Sequence, residues 1–330
     1  MSQTAPTSPT RNPRAQDYGP SAEELAALTS LELRARRLIE GLSVGIHQSP
    51  LRGLSLEFAE HRPYTPGDDL RHLDWKAYGK TDRLYLKRHH QETNADVMLL
   101  VDASGSMSYR SDKAPWTKFD AATTLAAAIT LLATSQHDRA GVQIFGGTQP
   151  VELPLSSARG QWRRTTEQLN QTKPEPIPSP EDKAPDTQAN PTSDLTDAIL
   201  RLDARLTRKS IVVILSDLFD DPDQIQKALA RLRFAGHDTL LVQLIDPAER
   251  AFSFDRGANF AGLEGEGRLP IEPSAIARAY REAFEQHLTE ITHRAAGFGF
   301  DHLILETHQP LLPVLRHCLA QRATIARRRG

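Results

Sequence analysis

The chain has 330 residues, a formal net charge of −2 and 25% charged side chains. That is enough length for a sizeable core, with no excess of either sign to draw it to nucleic acid or a membrane surface. Cys318 is the single cysteine, so an intrachain disulfide is excluded and a reducing compartment is allowed. No apolar run approaches the roughly 18 residues that span a bilayer, and the amino terminus lacks the basic-then-apolar pattern of a secretion signal. The expectation is a cytoplasmic protein with no membrane insertion.

Residues 1–20 are rich in Pro, Ser, Thr and Gln. They offer too little apolar surface to offset the entropy of ordering, and read as a disordered tail. Ser21-Ala-Glu-Glu24 has the form of a capping box. Leu25, Leu28, Leu31, Leu33, Leu38 and Ile39 follow at roughly helical spacing, which predicts a helix over 22–41 ended by Gly41. Residues 58–75 then crowd Arg62, Tyr64, Gly67, Asp68, Asp69, Arg71, Asp74 and Trp75 into one short stretch. Thr65-Pro66-Gly67-Asp68 suits a type II turn. The acids read either as a solvated turn or as planar Arg–carboxylate pairs that dock residues 21–94 on the domain that follows.

Val97–Val101 is an unbroken apolar run, as in a strand buried on both faces of a parallel sheet. It leads straight into Asp102, Ser104 and Ser106, with Gly105 between the serines. A loop after such a strand lies at the carboxyl edge, where open α/β sheets keep their ligand sites. One carboxylate and two hydroxyls, with no Cys or His, form a hard-oxygen set. It suits Mg²⁺ first, with Mn²⁺ or Ca²⁺ as alternatives, and suits zinc poorly. The plainer reading is a strand-to-helix turn in which Asp or Ser caps a helix.

Two resemblances bear on that choice. Asp102-x-Ser104-x-Ser106 after an apolar strand resembles the metal-ion-dependent adhesion site of von Willebrand factor A domains. The eight residues from Arg62 to Trp75 match in spacing the Arg-x-Tyr-x-x-Gly-Asp-Asp-x-Arg-x-x-Asp-Trp signature of domain-of-unknown-function family 58. That signature stands ahead of a von Willebrand factor A-like domain, and the resemblance covers roughly residues 40–320. It implies an α/β fold, a mostly parallel sheet with helices on both faces, over residues 95–325. Many members begin with two membrane helices, which this chain lacks.

Beyond the loop, residues 116–135 read as the first crossover helix, whose amino end would support the Asp102 carboxylate. Gly141–Phe145 reads as a strand and Val151–Leu155 as an antiparallel edge partner. Residues 157–170 read as a helix with Trp162 and Leu169 inward, and 172–192 as a long Pro-rich loop. At Thr192-Ser193-Asp194-Leu195 the resemblance implies a further metal ligand, a Thr in the family pattern. Leu195 and Ala198 set the register that puts Ser193 there, or Thr192 if the loop shifts by one; a helix N-cap explains either equally well. Ile211–Leu215 ends in Ser216-Asp217, and the resemblance implies that Asp217 reaches the ion through water. Asp220, Asp221 and Asp223 read as the start of a helix over 222–235. A strand over 239–245, a small hairpin in 251–271, a helix over 273–295, a short strand at 303–305 and a closing helix over 310–325 complete the pattern. Cys318 reads as a core filler on that last helix.

No Gly-rich phosphate loop follows a strand, and no Gly-x-Ser-x-Gly elbow is present. Ser104 as a nucleophile would need a base such as His137 brought to it by the fold. His61, His72, His89 and His90 fit no usual zinc spacing. The reading is a metal-dependent protein-interaction module, not an enzyme, with a metal-dependent hydrolase as the competing class. The resemblance implies a partner that offers a carboxylate to the ion. Family members are commonly encoded beside MoxR-type AAA+ ATPases, which makes such an ATPase the expected partner in a chaperone-like or maturation system.

Overall fold

The structure is a computed structural model that describes residues 19–48, 60–63, 78–79, 84–88, 95–147, 150–175, 194–252, 258–261, 268–271 and 273–329. Most of the expected tail, the signature from Tyr64 to Trp75, most of the Pro-rich loop, and Thr192 and Ser193 lie outside the described residues. Arg62 falls in strand β1 (Glu60–Pro63), which pairs antiparallel with β2 (Tyr85–Arg88).

The remaining chain alternates strands and helices. In order they are β3 (Asp96–Asp102), a 3-10 turn (Gly105–Ser108), α3 (Lys118–Ser135), β4 (Arg139–Phe145), β5 (Val151–Ser156), α4 (Gln161–Gln171) and α5 (Asp194–Asp203). Next come β6 (Ile211–Ser216), α6 (Pro222–Phe234), β7 (Asp238–Ile245), α7 (Pro247–Ala251), the hairpin β8–β9 (Ala258–Ala261 and Arg268–Ile271), α8 (Pro273–Gly297), β10 (Asp301–Glu306) and α9 (Leu312–Arg329). Two helices precede them, α1 (Ala22–Ala26) and α2 (Leu31–Gln48).

Six strands form one sheet in the order β10-β7-β6-β3-β4-β5, parallel throughout except for β5, which runs antiparallel along β4 at the edge. Successive side chains of a strand point to opposite faces. Val97, Leu99 and Val101 therefore enter one core, with α1, α2, α3, α4 and α9, while Met98 and Leu100 enter a second, with α5, α6 and α8. This two-sided burial is why the centres of β3 and β6 are continuously apolar, and β7 nearly so, rather than alternating. Asp221 caps α6 by accepting from the Asp223 amide, as read from the sequence.

The expected single helix over 22–41 is two helices. The chain turns after Ala26, and the Arg34 side chain donates to the Leu28 carbonyl at 2.8 Å across the turn. Gly41 does not end α2. A Cβ there would lie 2.6 Å from Pro20 Cδ, so this glycine lets the preceding segment cross the helix closely. Pro20 is buried by that crossing, which carries order back into the stretch read as tail. Leu31, Ala35, Leu38 and Leu42 belong to the same core as the sheet, so α2 is an added layer on the α/β domain. The helix predicted over 157–170 begins at Gln161. Cys318 is buried, as expected, and burial pushes its thiol up to about 12.

Candidate functional site at the carboxyl edge

Three adjacent strands, β3, β6 and β7, each run into an aspartate at the carboxyl edge of the sheet: Asp102, Asp217 and Asp246. Parallel pairing brings them together, since Val101 lies opposite Leu215 and Ser216 opposite Gln243. Asp246 is structural. It caps α7 through the Ala248 amide at 2.8 Å and ties down the loop after the 3-10 turn through the Ser111 amide at 2.9 Å.

Asp102 is buried and held only by uncharged donors among the described residues. Oδ1 accepts from the Ser104 amide at 2.8 Å, and Oδ2 accepts from the Ser216 hydroxyl at 2.5 Å. The Ser104 and Ser106 hydroxyls lie 3.1 Å apart on the same loop. Gly146, at the end of β4, makes the approach sterically feasible. Its φ is +69°, and a Cβ would sit 2.9 Å from the Ser104 nitrogen and 3.0 Å from Asp102 Oδ1. The support that the sequence reading gave to Asp102 from the amino end of α3 is not what holds it. The first turn of that helix is closed by its own capping box, Thr117 with Asp120. Burial, together with the nearby Asp217 charge, pushes the Asp102 carboxyl up to about 7, against the hydrogen bonds from Ser216 and Ser104.

Asp217 is differently placed. Its Oδ2 accepts from Lys118 Nζ at 2.8 Å, and the same ammonium donates to Glu249 Oε1 at 2.7 Å. Lys118 is fully buried, the largest such side chain described. Burial alone would lower its pKa, but the Asp217 and Glu249 charges outweigh that and raise it, so the lysine stays an ammonium. The Glu249 carboxyl is raised by its own burial. Its second oxygen accepts from the Asp246 amide at 2.7 Å, closing the capping box of α7. The Asp217 carbonyl accepts from Gln243 Nε2 at 2.7 Å, and Gln243 Oε1 in turn meets His302 Nε2 at 3.0 Å. Leu218, buried with φ +53°, turns the chain outward, and its carbonyl accepts from His287 Nε2 at 2.8 Å. Phe219 then lies 44% exposed, stacked on the His287 ring with Lys118 Nζ 5.6 Å from its own ring centre.

Of the residues predicted for a metal site, the fold thus brings Asp102, Ser104, Ser106 and Asp217 to one edge, while Ser193 lies outside the described residues, just before α5. The half of the site around Asp102 fits a hard cation. It pairs a buried carboxylate lacking a cationic partner among the described residues with two adjacent hydroxyls. The half around Asp217 is already charge-paired. No group of three or more His, Cys, Asp or Glu side chains converges as a metal cage among the described residues.

The sequence reading missed Lys118, Ser216 and Glu249. One cue was available: Lys118 occupies the first position of α3, where the helix dipole opposes a cation, so a lysine there implies carboxylates nearby. The base considered for a hydrolase is excluded by position. His137 precedes β4 at the amino edge of the sheet, exposed, a full seven-residue strand of roughly 20 Å from Ser104.

A six-stranded, mostly parallel sheet with one antiparallel edge, helices on both faces and an Asp-x-Ser-x-Ser loop at its carboxyl edge makes this a von Willebrand factor A-like domain. Residues 60–294 match the family described as "Protein of unknown function DUF58", and the chain belongs to that family. An uncharacterized protein of Mycobacterium tuberculosis is 30% identical over 300 residues, covering 90% of this chain and 89% of that protein. Among solved structures, the conserved hypothetical protein BatB from Bacteroides thetaiotaomicron is similar at 14% identity with a TM-score of 0.43, over 70% of this chain and 99% of that one. The SpRpn10 VWA domain is similar at 12% identity with a TM-score of 0.39, over 68% and 95%. No described helix is long and apolar enough to cross a membrane.

Proposed function

We propose that this chain is a protein-interaction module, not an enzyme, whose contact site is the carboxyl edge around Asp102. Asp102, Ser104 and Ser106, with Ser193 or Thr192 from the start of α5, would hold one divalent cation, Mg²⁺ first among the hard ions. The ion would supply an open coordination position for a carboxylate from the partner. The observation that carries this reading is Asp102 itself, a buried carboxylate with two hydroxyls beside it and, among the described residues, only neutral donors around it. Phe219, half-exposed on the same edge, offers apolar area next to the charged contact. The family resemblance supplies the partner class, a MoxR-type AAA+ ATPase. The test is capture of a purified MoxR-type ATPase on immobilised chain, with Mg²⁺ or with chelator, and with Asp102→Ala. Capture lost in both cases, with the circular dichroism spectrum unchanged, is the expected outcome. Capture that survives chelator and Asp102→Ala would overturn metal-mediated recognition.

A further inference from the structure

We propose that Lys118 is a built-in counter-cation that withholds Asp217 from any ion held at Asp102, leaving that ion to be completed by the partner's carboxylate. The inference rests on the metal-dependent reading above and adds a residue the adhesion-site pattern does not contain. Lys118 Nζ lies 2.8 Å from Asp217 Oδ2 and 2.7 Å from Glu249 Oε1, within the range of charge-assisted hydrogen bonds. The contact with Asp217 is out of water, the Lys118 side chain being 0% exposed and that of Asp217 4%, and the Glu249 side chain is 15% exposed. In such surroundings a full opposite charge cancels most of the attraction that Asp217 would otherwise exert on a second cation.

The ammonium has nowhere else to go. Its stem leaves the first turn of α3, a helix packed between the sheet and α2, and the Phe219 ring lies 5.6 Å from Nζ. Swinging away would strand the buried Asp217 and the partly buried Glu249 and bury a lone ammonium, an outcome far costlier than leaving the pair intact. Asp102, 5% exposed, receives no such cation among the described residues, where its donors are an amide and a hydroxyl. Two carboxylates on one edge are therefore divided: one is internally neutralised and the other is left to attract an ion. An ion held by a single anionic ligand and neutral hydroxyls is bound weakly by the isolated chain, and a partner's carboxylate takes the place that Asp217 would have filled.

The test is calorimetric titration of Mn²⁺ into the full chain. Lys118→Met keeps the volume of the stem without the charge. Lys118→Gln serves beside it, because its amide can still donate to both carboxylates if the methionine variant does not fold. Circular dichroism reports folding, and Asp102→Ala is the control. Releasing the Asp217 charge should tighten Mn²⁺ binding at least about tenfold in either lysine variant, with no signal in Asp102→Ala. If the lysine variants bind no more tightly than the native chain while Asp102→Ala abolishes binding, Lys118 has no such role and the interaction reading stands. If the lysine variants bind and the native chain does not, the role of Lys118 is upheld and metal-dependent recognition by the native chain falls. If none binds, both fall.

Discussion

Asp102 and Asp217 end neighbouring strands of one sheet and are equally buried, at 5% and 3% exposure, yet the protein treats them in opposite ways. Asp217 is given an ammonium, and Asp102 is given an amide and a hydroxyl. Neutral donors satisfy the geometry of a carboxylate without answering its charge, which is why the Asp102 carboxyl is pushed up to about 7 by burial and by its neighbour. Among the described residues no cation answers that buried charge, and this is the observation on which the proposed metal-dependent contact rests.

The sharpest way to break the comparison is to remove one carboxylate at a time and measure unfolding by denaturant in the presence of chelator. Asp217→Ala takes one partner from a buried pair and should cost about 3–5 kcal/mol. Asp102→Asn should do the reverse. A carboxyl raised in the folded state favours folding below its unfolded pKa near 3.8, and that contribution is lost as pH rises through about 7. The asparagine variant should therefore be more stable than the native chain by about 2–3 kcal/mol at pH 8, with the gain vanishing toward pH 4. A variant destabilised at both pH values would show that the carboxylate is not strained.

The remaining tests probe the scaffolds of the two aspartates separately. Gly146→Ala forces a Cβ into a positive-φ position 2.9 Å from the Ser104 nitrogen. It should cost about 1–3 kcal/mol and disturb the Asp102 side alone, so that Mn²⁺ binding weakens along with stability. On the Asp217 side the expected effect is smallest. Burial first, and His287 second, lower His302 to about 4. Its contribution is present above the unfolded pKa near 6.5 and is lost as pH falls from there toward 4. His302→Gln should flatten that acid limb by about 1–2 kcal/mol, read from denaturant midpoints across the range.

Much of the fold was legible because its cues are local. Val97–Val101 and Ile211–Leu215 are continuous apolar runs, and Leu240–Ile245 is apolar but for Gln243; they became β3, β6 and β7. Their order in the sheet placed Asp102, Ser104, Ser106 and Asp217 on one edge. What stayed hidden depends on contacts distant in sequence. Gly41 reads as a helix stop because glycine is a common one, and only the crossing of Pro20 over α2 shows otherwise. Nothing in the sequence singled out Lys118 beyond its place at the start of α3, because lysines are rarely buried. Its carboxylate partners lie 99 and 131 residues away, one after β6 and the other in α7. Glu249 was likewise obscured, since its local capping role is explanation enough for an acid after Asp246-Pro247.

The burial of α3 has a consequence for how the edge can respond to a partner. Fourteen of its 18 residues are buried, and it touches β3, β4, β6 and β7 on one side and α2, α4 and α9 on the other. Its mid-helix amides, from Thr123 to Leu132, are therefore expected among the slowest in the molecule to exchange with deuterium, opening only with global unfolding. Lys118 is carried by that helix, so its ammonium is fixed to the last element to let go. If the edge binds a partner as proposed, the change in exchange is expected in the Ser104–Tyr109 turn, at Gly146 and at the Leu218–Phe219 corner, which lie on that edge outside α3.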